Sequence, residues 1–257
     1  MARRHSVDGS LRQDTEMKAM VLAAGRGTRL RPLTDRIPKP MIPIGGRPLL
    51  EHVVRLLSHH GFDDLVINLS HLPDVIRDHF GDGSTFDVSI HYSFERDLLG
   101  TAGALRPVAD HFRGDDFLVY YADNLTNVDL AALWQDHQTS GAVATIGLLW
   151  MPESAGRGIV GIDGQDRIDR WLEKPEPHQV FDDYLINGGI YALQPQILDA
   201  IPSTGATDFA LDVIPKLLAD GEHLCGHRLQ GQLLSTDTPE RYEATQRAVE
   251  SGLFPLP

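Results

Sequence analysis

Apolar and polar positions along this chain fall into short blocks whose period switches repeatedly. Lys18 is followed by the apolar run Ala19-Met20-Val21-Leu22-Ala23-Ala24, the pattern of a strand buried on both faces, and Gly25 ends it. From Pro48 the apolar positions Leu49, Leu50, Val53, Val54 and Leu57 recur at helical spacing up to Gly61, which predicts a helix with Pro at its start and Gly past its end. The blocks that follow read as a strand over 64–69, a helix over 73–80, a strand over 86–92, a helix over 102–111, a strand over 117–122, a helix over 128–138 and a strand over 142–149. Beyond this the pattern is less regular. Residues 158–162 and 167–173 read as a hairpin around Asp163-Gly164, with a strand over 184–193, a helix over 208–219 and a terminal helix over 239–251.

Strands alternating with helices imply right-handed crossovers and a sheet covered on both sides. The expected class is α/β: a Rossmann-like three-layer αβα sandwich, with a mainly parallel mixed sheet and a small antiparallel insertion in the C-terminal half. Residues 1–16 are polar, charged and aperiodic and read as a mobile N-terminal extension. No repeat, linker or composition break divides residues 17–257, which read as one domain.

Composition narrows the function. A formal net charge of -13 repels a polyanion and argues against nucleic acid as a partner. No apolar run approaches the roughly 18–20 residues of a membrane span, and the first residues lack a secretory apolar region. The lone cysteine, Cys225, excludes an intramolecular disulfide framework and fits a reducing, cytoplasmic setting. A homo-oligomer is compatible with all of this. Local positive charge is nevertheless dense at Arg26, Arg29, Arg31, Arg36 and Lys39. Lys18, Lys39, Lys174 and Lys216 are the only lysines among 23 basic residues, and Lys39 and Lys174 each precede a proline. In so Arg-biased a chain these two ammonium groups are candidates for chemistry rather than surface charge.

The first strand ends in Gly25-Arg26-Gly27-Thr28-Arg29, at the sheet edge where α/β folds bind ligands. Glycines there allow the backbone close to phosphate oxygens, and successive N–H groups make an anion nest. The Gly-x-x-x-x-Gly-Lys of a Walker loop and the third glycine of a dinucleotide fingerprint are both missing. The longer string Gly25-x-Gly27-Thr28-Arg29-Leu30-Arg31-Pro32-Leu33-Thr34, then Pro38-Lys39-Pro40-Met41-x-Pro43, resembles the signature of the sugar nucleotidyltransferase (NDP-sugar pyrophosphorylase) family. Leu99-Gly100-Thr101-Ala102-Gly103, Tyr121-Ala122-Asp123-Asn124, Trp171-Leu172-Glu173-Lys174-Pro175, Ile186-Asn187-Gly188-Gly189 and Thr238-Pro239-Glu240-Arg241-Tyr242 match further segments of that family in order.

The resemblance implies that an NTP and a sugar 1-phosphate are joined with release of pyrophosphate, assisted by Mg²⁺. It implies catalytic roles for Arg29 and Lys39. Leu22, Ala23, Ala24, Gly25, Arg26, Gly27, Thr28, Gly100, Thr101 and Ala102 would bind the nucleotide. Asn124, Glu173, Lys174, Asn187 and Gly188 would bind the sugar phosphate, with Asp123 and Asp237 on the metal. The Leu-Gly-Thr-Ala-Gly stretch looks most like guanylyltransferases of mannose- or heptose-type 1-phosphates, favouring GTP, while uridylyl- and thymidylyltransferases share much of the remainder. With the sequence ending soon after Tyr242, the β-helix or acyltransferase domain that some relatives carry is not expected here.

Two departures stand out. Ala122 replaces a frequent glycine, and Ser235 stands where relatives often place the second metal aspartate, with Asp237 two positions along. Ser235 leaves open a catalytically silent nucleotide-sugar-binding paralogue. A molybdenum-cofactor or cytidylyl-type transferase would share the glycine-rich start but not the sugar-phosphate segments. Read without the resemblance, Asp123-Asn124 is a turn former and Glu173-Lys174-Pro175 an exposed strand end; Asp208 and Asp212, at helical spacing, either cap a helix or reach the sugar pocket, with capping favoured. The 12 histidines form no metal-spaced motif such as His-Glu-x-x-His.

Overall fold

The structure, a computed structural model, describes residues 17–151 and 157–255. Residues 1–16, expected as a mobile extension, lie outside the described residues. In chain order the strands are β1 (Met17–Leu22), β2 (Pro43–Ile44), β3 (Arg47–Pro48), β4 (Phe62–Leu69), β5 (Ser89–Phe94), β6 (Phe117–Tyr121), β7 (Asn124–Thr126), β8 (Ala144–Leu149), β9 (Ile159–Ile162), β10 (Ile168–Leu172), β11 (Leu185–Leu193), β12 (Leu224–Arg228) and β13 (Leu233–Ser235). The α-helices are α1 (Leu49–His59), α2 (Pro73–Phe80), α3 (Ala109–Phe112), α4 (Leu130–Ser140), α5 (Ile214–Ala219) and α6 (Pro239–Glu250).

Nine strands form one mixed sheet in the order β10-β9-β11-β6-β1-β4-β5, with β8 beside β11 and β12 beside β8. Pairing is parallel through β6-β1-β4-β5 and at β8-β12, and antiparallel wherever β11 joins. β1 takes its central place because both of its faces are apolar. Ala19 and Val21 enter one core with Leu50, Val53 and Val54 of α1, Ile76 of α2 and Leu133 of α4. Met20 enters the other, with Phe112 of α3 and Ile214 of α5. Each fully buried aliphatic side chain of this kind contributes about 1.5–3 kcal/mol by leaving water. The two cores are the two interfaces of a three-layer αβα sandwich, as the alternating pattern implies.

Departures from the expected elements have local causes. The block expected as a strand from residue 86 contains a 3-10 turn, Ser84–Phe86, closed by left-handed Gly83 and Asp87, so β5 starts only at Ser89. The helix expected over 102–111 is a 3-10 stretch, Gly103–Val108, followed by the short α3, because Pro107 has no N–H to continue an α-helical ladder. Asp208 and Asp212 cap as expected. The Asp208 carboxylate accepts from the N–H groups of Ala210 and Leu211, and Asp212 accepts from the Asp208 N–H. The turn they start, Phe209–Val213, is π-helical, and Pro215 just beyond it offers no N–H to the Leu211 carbonyl. β12 and the β7-β13 pair carry no clear alternation and are found only in the fold.

Two histidines, His52 and His137, are buried within this scaffold and a third, His60, is half-buried. Burial is the largest influence on each of His52, His60 and His137 and lowers its pKa below the ordinary imidazole value. The unfolded chain, with imidazoles near about 6.5, therefore binds more protons just below that pH than the folded one does. Their contribution to stability is complete above about pH 6.5 and is lost as the pH falls toward the lowered folded values. The urea midpoint is accordingly expected to be lower at about pH 5.5 than at about pH 7.5, with a smaller difference in His137→Gln. Equal midpoints in the native chain would contradict this account.

Candidate active site

The carboxyl edge of β6, β1, β4 and β5 carries the predicted phosphate loop. Past the end of β1 the N–H groups of Ala23 and Ala24 both donate to the Asn68 side-chain carbonyl near the end of β4, at 2.6 and 3.3 Å. The Asn68 amide in turn donates to Glu95 at 2.8 Å, and the other Glu95 oxygen accepts the Leu99 N–H at 3.0 Å. One buried amide and one buried carboxylate thus tie the loop after β1 to the Leu99–Ala102 loop. Neither residue was singled out in the sequence. The available signal was a polar residue closing an apolar strand at the ligand edge.

The second loop is held from the other side. Gly100 has a φ of +81°, and a Cβ there would lie 2.3 Å from the Thr207 carbonyl oxygen. Thr101 donates its hydroxyl to Asp208 at 2.9 Å and accepts the Phe209 N–H at 2.8 Å. A cavity of about 240 Å³ lies between the loops, bordered by Leu22, Ala23, Ala24, Gly25, Lys39, Asn68, Glu95, Gly100, Thr101, Asp123 and Asp208. Arg26, Gly27, Thr28 and Arg29 lie outside this lining; Arg26, Thr28 and Arg29 are exposed. Ala102 is fully buried and its N–H is taken by the Thr207 carbonyl, so it does not border the cavity.

A second cavity of about 160 Å³ adjoins the first and is lined by Tyr121, Asp123, Asn124, Arg157, Asn187, Gly188, Gly189, Leu233, Ser235, Asp237 and Arg241. The register of β11 against β8 breaks between Asn187 and Tyr191. Gly189 there has a φ of +70° against the Tyr121 ring. Lys39 is buried, and its ammonium donates to Asp123 at 3.0 Å, while the Asn124 amide donates to the other Asp123 oxygen at 3.0 Å. Asp123 borders both cavities.

Asp237 is held by three groups: the Ser235 hydroxyl at 2.7 Å, Arg241 at 2.9 Å and Arg29 at 2.7 Å. Burial by itself would raise its pKa; the Ser235 hydrogen bond and the two guanidinium groups outweigh this and hold the carboxyl down at about 2. Burial, followed by the charge of Arg241, pulls the Arg157 guanidinium below its usual range. Two cations facing one polar cavity mark a place for an anion, and Arg157 was not foreseen from the sequence. Glu173 and Lys174 follow β10 and line neither cavity. Burial pushes the Glu173 carboxyl up, opposed by the charge of Lys174, and Lys174 has a left-handed φ of 48°.

Among the described residues, one group of histidine and carboxylate side chains has ligand atoms all within 4.8 Å of one another: Asp64, His91 and His111. It lies at the opposite edge of the sheet, where Asp64 pairs in register with Lys18 at the start of β1. No helix among the described residues is long and apolar enough to cross a membrane.

An α/β sheet whose glycine-rich first loop, buried lysine and strand-end aspartate border two adjoining cavities, the second of them polar, fits a nucleotide-handling transferase fold. The chain belongs to the nucleotidyl transferase family, whose model matches residues 18–233, and within it to the sugar-1-phosphate nucleotidyltransferases. UTP–glucose-1-phosphate uridylyltransferase of Synechocystis sp. is 40% identical over 218 residues, 80% of this chain and 56% of that protein. Mannose-1-phosphate guanylyltransferase of Mycobacterium tuberculosis is 34% identical over 243 residues, 94% of this chain and 67% of that protein. The structure of a putative glucose-1-phosphate thymidylyltransferase from Bacillus anthracis superposes with a TM-score of 0.80 at 25% identity, covering 90% of this chain and 94% of that one. This chain therefore spans little more than half of the Synechocystis protein. Uridylyl-, guanylyl- and thymidylyltransferases all stand among the relatives, so the expected leaning toward mannose- and heptose-type guanylyltransferases is not singled out by similarity.

Gly100 tests how the second loop is held. Gly100→Ala adds a Cβ against the Thr207 carbonyl at a φ that side chains rarely adopt, and is expected to destabilise the fold by about 2 kcal/mol or more in urea unfolding. A midpoint equal to that of the native chain would show that Gly100 and Thr207 are not in close contact.

Proposed function

We propose that residues 17–257 form a catalytic unit that condenses an NTP with a sugar 1-phosphate. A phosphate oxygen of the sugar attacks the α-phosphorus in line, the bond to the bridging oxygen breaks, and pyrophosphate leaves. One observation carries the reading: the buried Lys39 ammonium contacts Asp123, and Asp123 borders both cavities. A cation and a carboxylate thereby stand at the boundary between a nucleotide side and a sugar side. The main obstacle is repulsion between two anions, so positioning and fixed positive charge are the effects required.

On this reading Leu22–Gly25 and Gly100–Thr101 hold the nucleotide, and Lys39 spans the reacting phosphates. Arg29 leaves Asp237 for the pyrophosphate oxygens, for which its exposed, forked guanidinium is suited. Asn124, Asn187 and Gly188 receive the sugar phosphate, with Arg157 and Arg241 offsetting its charge. Glu173 and Lys174 join them on the strength of the sequence resemblance alone. Asp123 and Asp237 offer oxygen ligands to the second cavity, the donor type that Mg²⁺ prefers, and Asp237 does so once Arg29 has moved. Bound there, Mg²⁺ would supply further positive charge to the phosphates. The lone cysteine supports a reducing, cytoplasmic setting.

Two features favour guanine as the base: the Leu99-Gly100-Thr101-Ala102-Gly103 stretch, and Glu95 on the wall of the first cavity. Each Glu95 oxygen accepts one hydrogen bond and retains a lone pair that suits the N–H donors of guanine. Uracil is the competing base, favoured by the 40% identity with the Synechocystis protein. The decisive assay incubates the full chain with Mg²⁺, each NTP in turn and a panel of sugar 1-phosphates, and measures pyrophosphate. Release is expected, fastest with GTP. A UTP preference would reassign the base, and no release with any pair would leave a nucleotide-sugar-binding protein without catalysis.

Lys39→Ala is expected to lower kcat at least ~10²-fold with an unchanged circular dichroism spectrum. Turnover close to that of the native chain would remove Lys39 from the reaction.

A further inference from the structure

The edge of the sheet remote from the phosphate loop carries a cluster that the proposed transfer does not use. Asp64 lies at the start of β4, His91 on β5 and His111 on α3. Asp64 pairs with Ser89, and the next residue but one on each strand pairs Val66 with His91. Asp64 and His91 therefore project from the same face of the sheet, onto which α3 also packs through Phe112. The His111 Nε2 stands 2.9 Å from one Asp64 oxygen, and the His91 Nε2 stands 3.6 Å from the other. The two imidazole rings are 5.0 Å apart between centroids.

A simple ion pair does not account for this arrangement. The Asp64 side chain is only 8% exposed, yet its Oδ1 has no hydrogen-bond partner, and neither has the buried Nε2 of His111. The 2.9 Å approach of His111 to the carboxylate thus lacks the alignment of a hydrogen bond. Buried polar atoms of native proteins are nearly always satisfied, and each exception calls for a cause. His91, with 56% of its side chain exposed, leaves the cluster open to solvent on one side.

We propose that Asp64, His91 and His111 form a binding site for a divalent transition metal of the zinc type. Two imidazole nitrogens and one carboxylate oxygen match the donor preference of Zn²⁺, Co²⁺ or Ni²⁺, whereas Mg²⁺ and Ca²⁺ select oxygen alone. Ligands about 2.0–2.1 Å from a tetrahedral Zn²⁺ are separated from one another by roughly 3.3 Å. The three ligand atoms all lie within 4.8 Å of one another, and the two nitrogens stand 2.9 and 3.6 Å from different Asp64 oxygens, so rotation of the carboxylate and of the rings brings one oxygen to both. Water occupies the fourth position on the exposed side. The bound ion satisfies both orphaned atoms and fastens α3 to β4 and β5. Its donors come from three separate elements, which is why no histidine spacing in the sequence announces them.

The test uses the full chain, free of any affinity tag and stripped with a chelator, titrated with Zn²⁺ in saturating Mg²⁺ so that oxygen-only sites are filled. One Zn²⁺ per chain is expected, with a rise in Tm. His91→Ala is expected to weaken binding at least ~10-fold and to abolish that rise. His91 is exposed, so this variant keeps its fold even if substitutions at Asp64 or His111 do not. A control change at the neighbouring pair His59 and His60 is expected to leave Zn²⁺ affinity as it was. No stoichiometric binding, unaltered affinity in His91→Ala, or affinity lost only in Asp123→Asn would overturn the proposal.

Discussion

The ligand edge of this fold depends on one buried side chain, the Asn68 carboxamide. Where β1 ends, the N–H groups of Ala23 and Ala24 turn to it in place of a strand partner. Buried donors without partners are costly, so the carboxamide fixes the path by which the chain enters its glycine-rich loop. The same side chain passes the constraint to Glu95, and Glu95 passes it to the Leu99 N–H. From there Gly100 packs on Thr207, and Thr101 bonds both Asp208 and Phe209. Three loops from distant parts of the sequence and the end of β4 are thereby set at one level across the sheet, and the first cavity is the space they leave.

Around that frame the charges are already paired. Lys39 holds Asp123, while Arg29 and Arg241 hold Asp237, so on the proposed reading these cations await an anionic ligand without being left uncompensated. This preorganisation has an electrostatic consequence. A polyphosphate competes with carboxylates for cations whose positions are set, rather than gathering mobile side chains from solvent. Arg29 ties the loop after β1 to the second cavity. It belongs to the loop after β1, yet its partner lies in the lining of the second cavity, so a phosphate that draws Arg29 away alters Asp237 at the same moment.

The sequence made much of this visible, unevenly and for physical reasons. The continuous apolar run before Gly25 and the helical spacing after Pro48 are long-period signals, and β1 and α1 follow them closely. Lys39 and Asp123 were legible through a long ordered motif, and the fold places them 3.0 Å apart. Asn68, Glu95 and Arg157 were not, since each is a single polar residue whose role appears only when strand ends are brought level. Ala102 lay within the motif, but its N–H and side chain face inward. β12 escaped notice because Leu224–Arg228 has neither alternation nor an apolar run. The cluster of Asp64, His91 and His111 escaped it because parallel register, not sequence spacing, brings β4 and β5 together.

The two edges of the sheet differ in donor chemistry, and the strands separate them physically. Asp64 and Asn68 lie on the same strand, four positions apart, or about 13 Å at the usual rise. Across that distance, and largely screened, a charge at the lower edge acts only weakly on phosphates at the upper one. A mechanical connection runs through the chain itself. α3 leads through residues 113–116 into β6, and β6 ends two residues before Asp123. Asp115 in that connection bonds Lys18 at 2.9 Å and Asp116 accepts from Gln138 at 2.7 Å, so the entry to β6 is anchored to β1 and α4. Whatever fixes His111 on α3 therefore fixes the start of the strand whose far end presents Asp123. An ion at the lower edge would bear on the upper one through the seating of β6, and its own charge would matter far less.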